Sequence, residues 1–259
     1  MKLWLAPLHG ITYYYFRNTF LRHFSGIDAI ITPFVPVQET NKLNVGKWLD
    51  FHSENNPYCD VIPQLMGNIP AHFTDTIRAL QAHYGFTQFN WNIGCPMNAI
   101  VRKQRGCGIM PFPDNVEAVV EEVFNKTDCR FSLKMRLGLK NRDEAYQIME
   151  RLNSYPIDFW VIHPRLGVEQ YAYTVDLENF AKLLTIAKAP IIYSGDILTP
   201  NDALLLQERF PQIDNIMLGR GILKNPFLAE QIQKKSSSVE TEEDWKIRFY
   251  NFYKDLALN

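Results

Sequence analysis

Short apolar runs recur along the chain with longer amphipathic segments between them, the alternation that predicts repeated βα units and a parallel sheet. Residues 3–6, 29–34, 61–66, 89–93, 131–136, 159–163, 191–193 and 215–218 read as eight strands. Residues 69–83, 114–124, 141–153, 176–187, 199–208 and 221–235 carry apolar side chains at three-to-four spacing and read as helices. Pro113-Asp114, Thr199-Pro200-Asn201-Asp202 and Asn225-Pro226 supply the caps and first-turn prolines that start helices. Eight strands alternating with helices predict an α/β fold, a closed (β/α)8 or TIM barrel; an open doubly wound sheet would give the same pattern. The length, 259 residues, suits the barrel.

Near the end the pattern changes. The stretch 234–241, KKSSSVET, is polar and serine-rich, and it divides a barrel over 1–236 from a linker and helix over 237–259. Thr241 followed by Glu242, Glu243 and Asp244 marks a helix N-terminus. Trp245, Phe249, Phe252 and Leu256 then share one face, which either docks on the barrel or meets a further helical domain.

Composition adds little that is special: 46% hydrophobic and 21% charged residues suit a globular protein with a sizeable core. The formal net charge of -1 means that contact with a nucleic acid must rest on a local patch. Cys59, Cys95, Cys107 and Cys129 show no CxxC spacing, no signal peptide is evident in MKLWLAPLHG, and no run is long enough to span a membrane. A reduced, cytoplasmic, monomeric protein without a metal site is expected.

The chemistry concentrates at strand ends, where parallel α/β folds collect ligands. In FNWNIGCPMNAIVRKQRGCGIM (89–110) an apolar strand hands over to Gly94, Cys95 and Pro96, then to a loop bearing Arg102, Lys103 and Arg105. A buried cysteine is usually a small hydrophobe. Here the basic loop is expected to lower the Cys95 pKa and ready the thiol for nucleophilic or proton-donating work; the other three cysteines read as structural. Gln64, Lys134 with Arg136, His163 with Arg165, and Ser194-Gly195-Asp196 place polar groups at further strand ends. Alternation sends Lys134 and Arg136 to one face, the barrel lumen. Gly195 and Gly219-Arg220-Gly221, after the last two strands, suit a phosphate-bearing cofactor such as FMN.

With these residues assembled, the sequence resembles the tRNA-dihydrouridine synthases, flavin enzymes that reduce uridines in tRNA. The matching pieces are LAPLHGIT, QLMG, NWNIGCP with GCGIM, LKMRLG, HPRLGVEQY, SGDI and MLGRGILKNP, in the family's order over residues 3–226. The resemblance implies FMN as cofactor, NADPH as reductant and tRNA as partner. It places Pro7, Leu8 and His9 along the isoalloxazine ring, Gln64 and Lys134 at its polar edge, and His163 beside it. Ser194, Gly195, Asp196, Gly219 and Arg220 would hold the phosphate. Cys95 matches the family's catalytic cysteine, the proton donor to C5 of the uracil, and Asn92, Arg136 and Arg165 match positions around that base. Arg102 and Lys103 would contact RNA phosphate. His9, Tyr13 and Ser194 depart from the family's commoner residues, and only about the first helix of the family's C-terminal helical domain is represented. A flavin barrel acting on a small pyrimidine, like dihydroorotate dehydrogenase, and a non-catalytic RNA-binding relative are the alternatives. The intact flavin positions weigh against the second, and the five basic residues Arg102, Lys103, Arg105, Arg136 and Arg165 weigh against the first.

Overall fold

A computed structural model describes residues 1–233 and 241–258. The strands are β1 (Lys2–Leu5), β2 (Ala29–Ile31), β3 (Val35–Pro36), β4 (Val61–Ile62), β5 (Gln64–Met66), β6 (Gln88–Ile93), β7 (Arg130–Gly138), β8 (Trp160–Leu166), β9 (Ile191–Tyr193) and β10 (Asn215–Leu218). The helices are α1 (Tyr14–His23), α2 (Pro70–Tyr84), α3 (Asn98–Val101), α4 (Pro113–Lys126), α5 (Asp143–Leu152), α6 (Leu177–Ile186), α7 (Pro200–Arg209), α8 (Arg220–Lys224), α9 (Leu228–Gln233) and α10 (Glu242–Ala257).

All eight expected strands occur, with differences that have local causes. Residues 61–66 form two short strands because Pro63 has no N–H to donate. The strand expected over 29–34 stops at Ile31, and β3 follows separately. The helix expected over 221–235 breaks into α8 and α9, since Pro226 pushes Asn225 into an extended conformation (φ −142°, ψ 97°). Helix α1 was not expected: its N-cap is Tyr13, which makes no side-chain cap bond, so no start signal is written in the sequence. The linker expected over 234–241 lies, except for Thr241, outside the described residues.

The chain forms two units. The first comprises Met1–Pro33, Trp48–Val61 and Asp196–Asn259. In it β10, β1 and β2 pair in parallel, with Leu3 opposite Ile216 and Leu5 opposite Leu218. Reciprocal capping by Thr241 and Asp244 starts α10. Phe252 of α10 is buried against Phe16, Phe20 and Phe24 at ring distances of 6.2, 6.3 and 5.1 Å. Arg248 lies over Phe24 and Phe227 while pairing with Glu230 at 2.7 Å. Of the predicted apolar face, Phe252 is buried and Leu256 half-buried, whereas Trp245 and Phe249 keep substantial exposure.

The second unit comprises Phe34–Lys47 and Ile62–Gly195. Its strands run β3, β5, β6, β7, β8, β9, all parallel. Helices α2, α4, α5 and α6 follow one another as packed neighbours. Pro113 opens α4, and Gly85, at φ +75°, closes α2 in a left-handed cap that favours glycine. The odd-numbered residues Phe89, Trp91, Phe131 and Leu133 are wholly buried, and Trp91 packs on Phe73 of α2 at 5.0 Å. Their even-numbered neighbours Asn90, Asn92, Ser132, Lys134 and Arg136 share the other face, as period-two alternation requires. No helix of the described residues is long and apolar enough to cross a membrane.

Candidate active site

Parallel register brings the polar residues of the second unit into rows: Gln64 stands opposite Asn90, Asn90 opposite Ser132, Asn92 opposite Lys134, and Arg136 opposite His163. Four of these side chains are hydrogen-bonded in series. Asn92 donates to Gln64 Oε1 (2.9 Å), Gln64 to Asn90 Oδ1 (2.7 Å) and Asn90 to Ser132 Oγ (2.9 Å). Ser132 donates in turn to the Phe89 carbonyl (3.1 Å).

The free end of this series holds Cys95. Asn92 Oδ1 accepts the backbone N–H groups of Gly94 (3.1 Å) and Cys95 (2.9 Å), and Arg136 Nε donates to the Gly94 carbonyl (3.1 Å). From the other side Cys107 N–H donates to the Cys95 carbonyl (3.0 Å). That return requires Gly106, which has φ +55° and whose added Cβ would lie 2.5 Å from the Cys95 oxygen. Gly106→Ala is therefore expected to cost about 1–3 kcal/mol and to displace Cys95. The urea midpoint and the alkylation rate of Cys95 would check this; two unchanged values would remove Gly106 from the support of the thiol.

The Cys95 thiol is half-buried, and its pKa lies above the ordinary thiol value because burial disfavours the thiolate. The Met97 N–H, Arg136 and Lys134 pull the other way without prevailing. This corrects the expectation that the basic surroundings would lower it: a desolvated thiol keeps its proton, which suits donation rather than nucleophilic attack. Cys107 is buried deeper, with its thiol pushed up to about 12 by burial.

Lys134 is half-buried and its pKa is lowered to about 8, by burial first and then by repulsion from Arg136. Among the described residues no acceptor meets its ammonium, a costly arrangement unless another group does. Arg136 and Arg165 are almost wholly buried. Arg136 donates to the carbonyls of Leu166 (2.9 Å) and Gln170 (2.6 Å), and Arg165 to that of Tyr173 (2.7 Å), so both hold the loop after β8. Arg165 also donates to His163 Nε2 (3.0 Å), which leaves the imidazole proton on Nδ1. Arg102 and Lys103 are exposed, and among the described residues neither has an ion-pair partner. Asn68 braces their loop through the Lys103 carbonyl (3.1 Å). Ser194 N–H donates to the Ile162 carbonyl (2.9 Å), and Gly195 packs so closely on Tyr193 that a Cβ would lie 2.1 Å from its hydroxyl.

In the first unit Pro7, Leu8 and His9 form a turn after β1. Thr12 ties it, accepting from Leu8 N–H (2.8 Å) and donating to the Ala6 carbonyl (3.1 Å), and the Tyr13 hydroxyl meets His9 Nδ1 at 3.1 Å. Beneath it the buried Arg17 donates to the Thr12 carbonyl (2.9 Å) and pairs with Asp50 (3.2 Å). Asp196 pairs with Arg220. A Cβ on Gly219 would meet Ala6 at 3.4 Å and Leu8 at 3.8 Å, ordinary van der Waals contacts. Asn90, Ser132, Arg17 and Asp50 were not among the sequence candidates. Asn90 and Ser132 could have been found as polar residues alternating with aromatic and aliphatic ones, whereas the Arg17–Asp50 pairing leaves no local signal.

The model of the dihydrouridine synthase family matches residues 4–255. The chain belongs to the dihydrouridine synthase family. It is 26% identical to a tRNA-dihydrouridine(16) synthase of Aquipseudomonas alcaligenes, over 94% of this chain and 78% of the relative. It is 28% identical to the enzyme of the same name from Pseudomonas syringae pv. tomato, over 93% and 77%. Among solved structures, the old yellow enzyme homologue from Zymomonas mobilis aligns over 94% of this chain and 92% of its own, with a TM-score of 0.61 and 13% identity. Morphinone reductase in complex with tetrahydroNAD aligns over 94% of this chain and 90% of its own, with a TM-score of 0.60 and 10% identity, and its N189A mutant over 91% and 87%, with a TM-score of 0.62 and 10% identity. These likenesses concern the fold alone, a (β/α)8 barrel.

Proposed function

We propose that the protein reduces the C5–C6 double bond of a specific uridine in tRNA, with FMN as its flavin, NADPH as electron donor and Cys95 as proton donor. One observation carries the reading: a protonated, half-buried thiol at the end of β6 and, on the neighbouring β7, a cation that meets no acceptor among the described residues.

The residues present fit a flavin. The Lys134 ammonium would suit the electron-rich edge of the isoalloxazine ring, with Gln64 beside it. On the family's pattern Pro7, Leu8, His9 and His163 would adjoin the flavin ring, and Ser194, Gly195, Asp196, Gly219 and Arg220 would hold its phosphate. When bound, the reduced flavin supplies the hydride that adds to C6 of the uracil. Cys95 delivers its proton to C5, and the product carries one hydride and one proton more than uridine. The thiolate left behind regains a proton from solvent, which the raised pKa favours at neutral pH. Asn92 adjoins the base while holding the Cys95 backbone, and Arg136 and Arg165 act from buried positions by fixing the loop after β8. The target uridine must leave its stack to be reached. Its phosphates are met by Arg102 and Lys103, and four free thiols agree with a reducing cytoplasm.

Purified protein should show a flavin absorbance band that bleaches with NADPH under anaerobic conditions and recovers on addition of unmodified tRNA. Bleaching without recovery would overturn tRNA as the substrate, and absence of flavin would overturn the enzyme. Replacing Arg102 and Lys103 by alanine should raise KM for tRNA and flatten the salt dependence of binding by about two in log–log slope, one for each lost phosphate contact. An unchanged slope would place the RNA backbone elsewhere.

A further inference from the structure

We infer that Asn90, with Ser132 behind it, is a positioning residue for the proton-donating step, acting on Cys95 through Gln64 and Asn92. The inference rests on the reading of Cys95 given above.

The directions of the hydrogen bonds are dictated from one end. The backbone N–H groups of Gly94 and Cys95 can only donate, so Asn92 must present its oxygen to them. Its NH2 therefore faces Gln64, which must present Oε1 and turn Nε2 to Asn90. Asn90 then presents Oδ1 to Gln64 and its NH2 to Ser132, whose own proton goes to the Phe89 carbonyl. Every donor points the same way along the series. Asn90, Gln64 and Ser132 show no exposed surface, and Asn92 is 8% exposed, so water offers little in place of a lost partner. If Asn90 no longer accepts from Gln64, the Gln64 amide loses the bond that fixes it, its Oε1 no longer anchors Asn92, and the turn that Asn92 Oδ1 holds through the N–H groups of Gly94 and Cys95 loosens.

The chemistry of residue 90 separates this role from simple packing. Leucine, of similar size, removes both bonds. Aspartate keeps an acceptor for Gln64, and Ser132 can turn its hydroxyl to the new carboxylate. In flavin-loaded protein, Asn90→Leu is expected to lower kcat for tRNA reduction by about tenfold or more, leaving KM for tRNA and the rate of flavin reduction by NADPH near wild type. Asn90→Asp should recover most of that loss. Alkylation of Cys95 by iodoacetamide, followed by mass spectrometry, should be at least about threefold faster in Asn90→Leu than in wild type or Asn90→Asp, because the turn is loosened.

A wild-type kcat and alkylation rate in Asn90→Leu would overturn the inference. So would an equal loss in the NADPH half-reaction, which would mean that the series serves the cofactor through Gln64. Should Asn90→Leu fail to fold, Ser132→Ala, which removes a single oxygen, decides: a fall in kcat of about two- to fivefold supports the relay and wild-type behaviour overturns it. A wild-type protein unable to reduce tRNA would instead sink the functional reading, and the alkylation comparison, which uses no tRNA, would still judge the relay.

Discussion

Cys95→Ala is expected to keep its flavin and its reduction by NADPH while losing about 10²- to 10⁴-fold in the rate at which tRNA reoxidises the reduced protein, the usual worth of a positioned general acid. The two half-reactions separate because the thiol enters only the second. Its raised pKa keeps the donor form populated at neutral pH, so wild-type reoxidation should hold steady there and fall as pH rises past the ordinary thiol range. The alanine variant should lose that alkaline limb, since the titrating group is gone. Stopped-flow absorbance at the flavin band, with NADPH and then with tRNA, reads both rates. Reoxidation of Cys95→Ala at the wild-type rate would remove Cys95 from the mechanism.

Much of this site was legible because strand ends concentrate function in a parallel α/β fold. The run ending in Gly94-Cys95-Pro96 announces both where β6 stops and where its thiol begins, and β9 and β10 were found to the residue. What the sequence concealed is energetic and long-range. A loop bearing Arg102, Lys103 and Arg105 suggests an acidified thiol, yet Arg102 and Lys103 are exposed to water, Arg105 donates to Asn68, and the desolvation of Cys95 outweighs the nearer Arg136 and Lys134. Arg136 reads as a ligand-facing cation, and its partners prove to be three backbone carbonyls, which carry no side-chain signature. Asn90 reads as one polar residue in an apolar strand. Its meaning appears only when register sets it between Gln64, 26 positions before it, and Ser132, 42 after it. Helix α1 escaped for a simpler reason, the absence of a capping residue at Tyr13.

Lys134→Met is expected to make the flavin-free protein more stable and the flavin more weakly held. With its pKa lowered from 10.5 to about 8, Lys134 bears a charge the folded state disfavours. Such a shift corresponds to roughly 3 kcal/mol, and because the side chain is only half-buried solvent screening reduces this to about 1–2 kcal/mol. The sign follows from proton counting. Below pH 8 both states hold the proton and the folded state bears the whole cost. Between about 8 and 10.5 the unfolded chain keeps a proton that the folded protein has released, so stability rises with pH across that window. Methionine removes the charge while keeping the length. The flavin-free variant should therefore exceed wild type by about 1–2 kcal/mol at pH 7 and lose most of that advantage by about pH 10. Flavin affinity should fall by about 10- to 100-fold, as expected when one charge-assisted hydrogen bond is lost. Urea unfolding at the two pH values, with a flavin titration at neutral pH, tests both halves. A variant that is less stable at pH 7 and binds flavin as wild type does would show that the buried charge is satisfied within the protein and does not await a ligand. The opposite signs distinguish a lysine held at a cost for its cofactor from one that merely completes the fold.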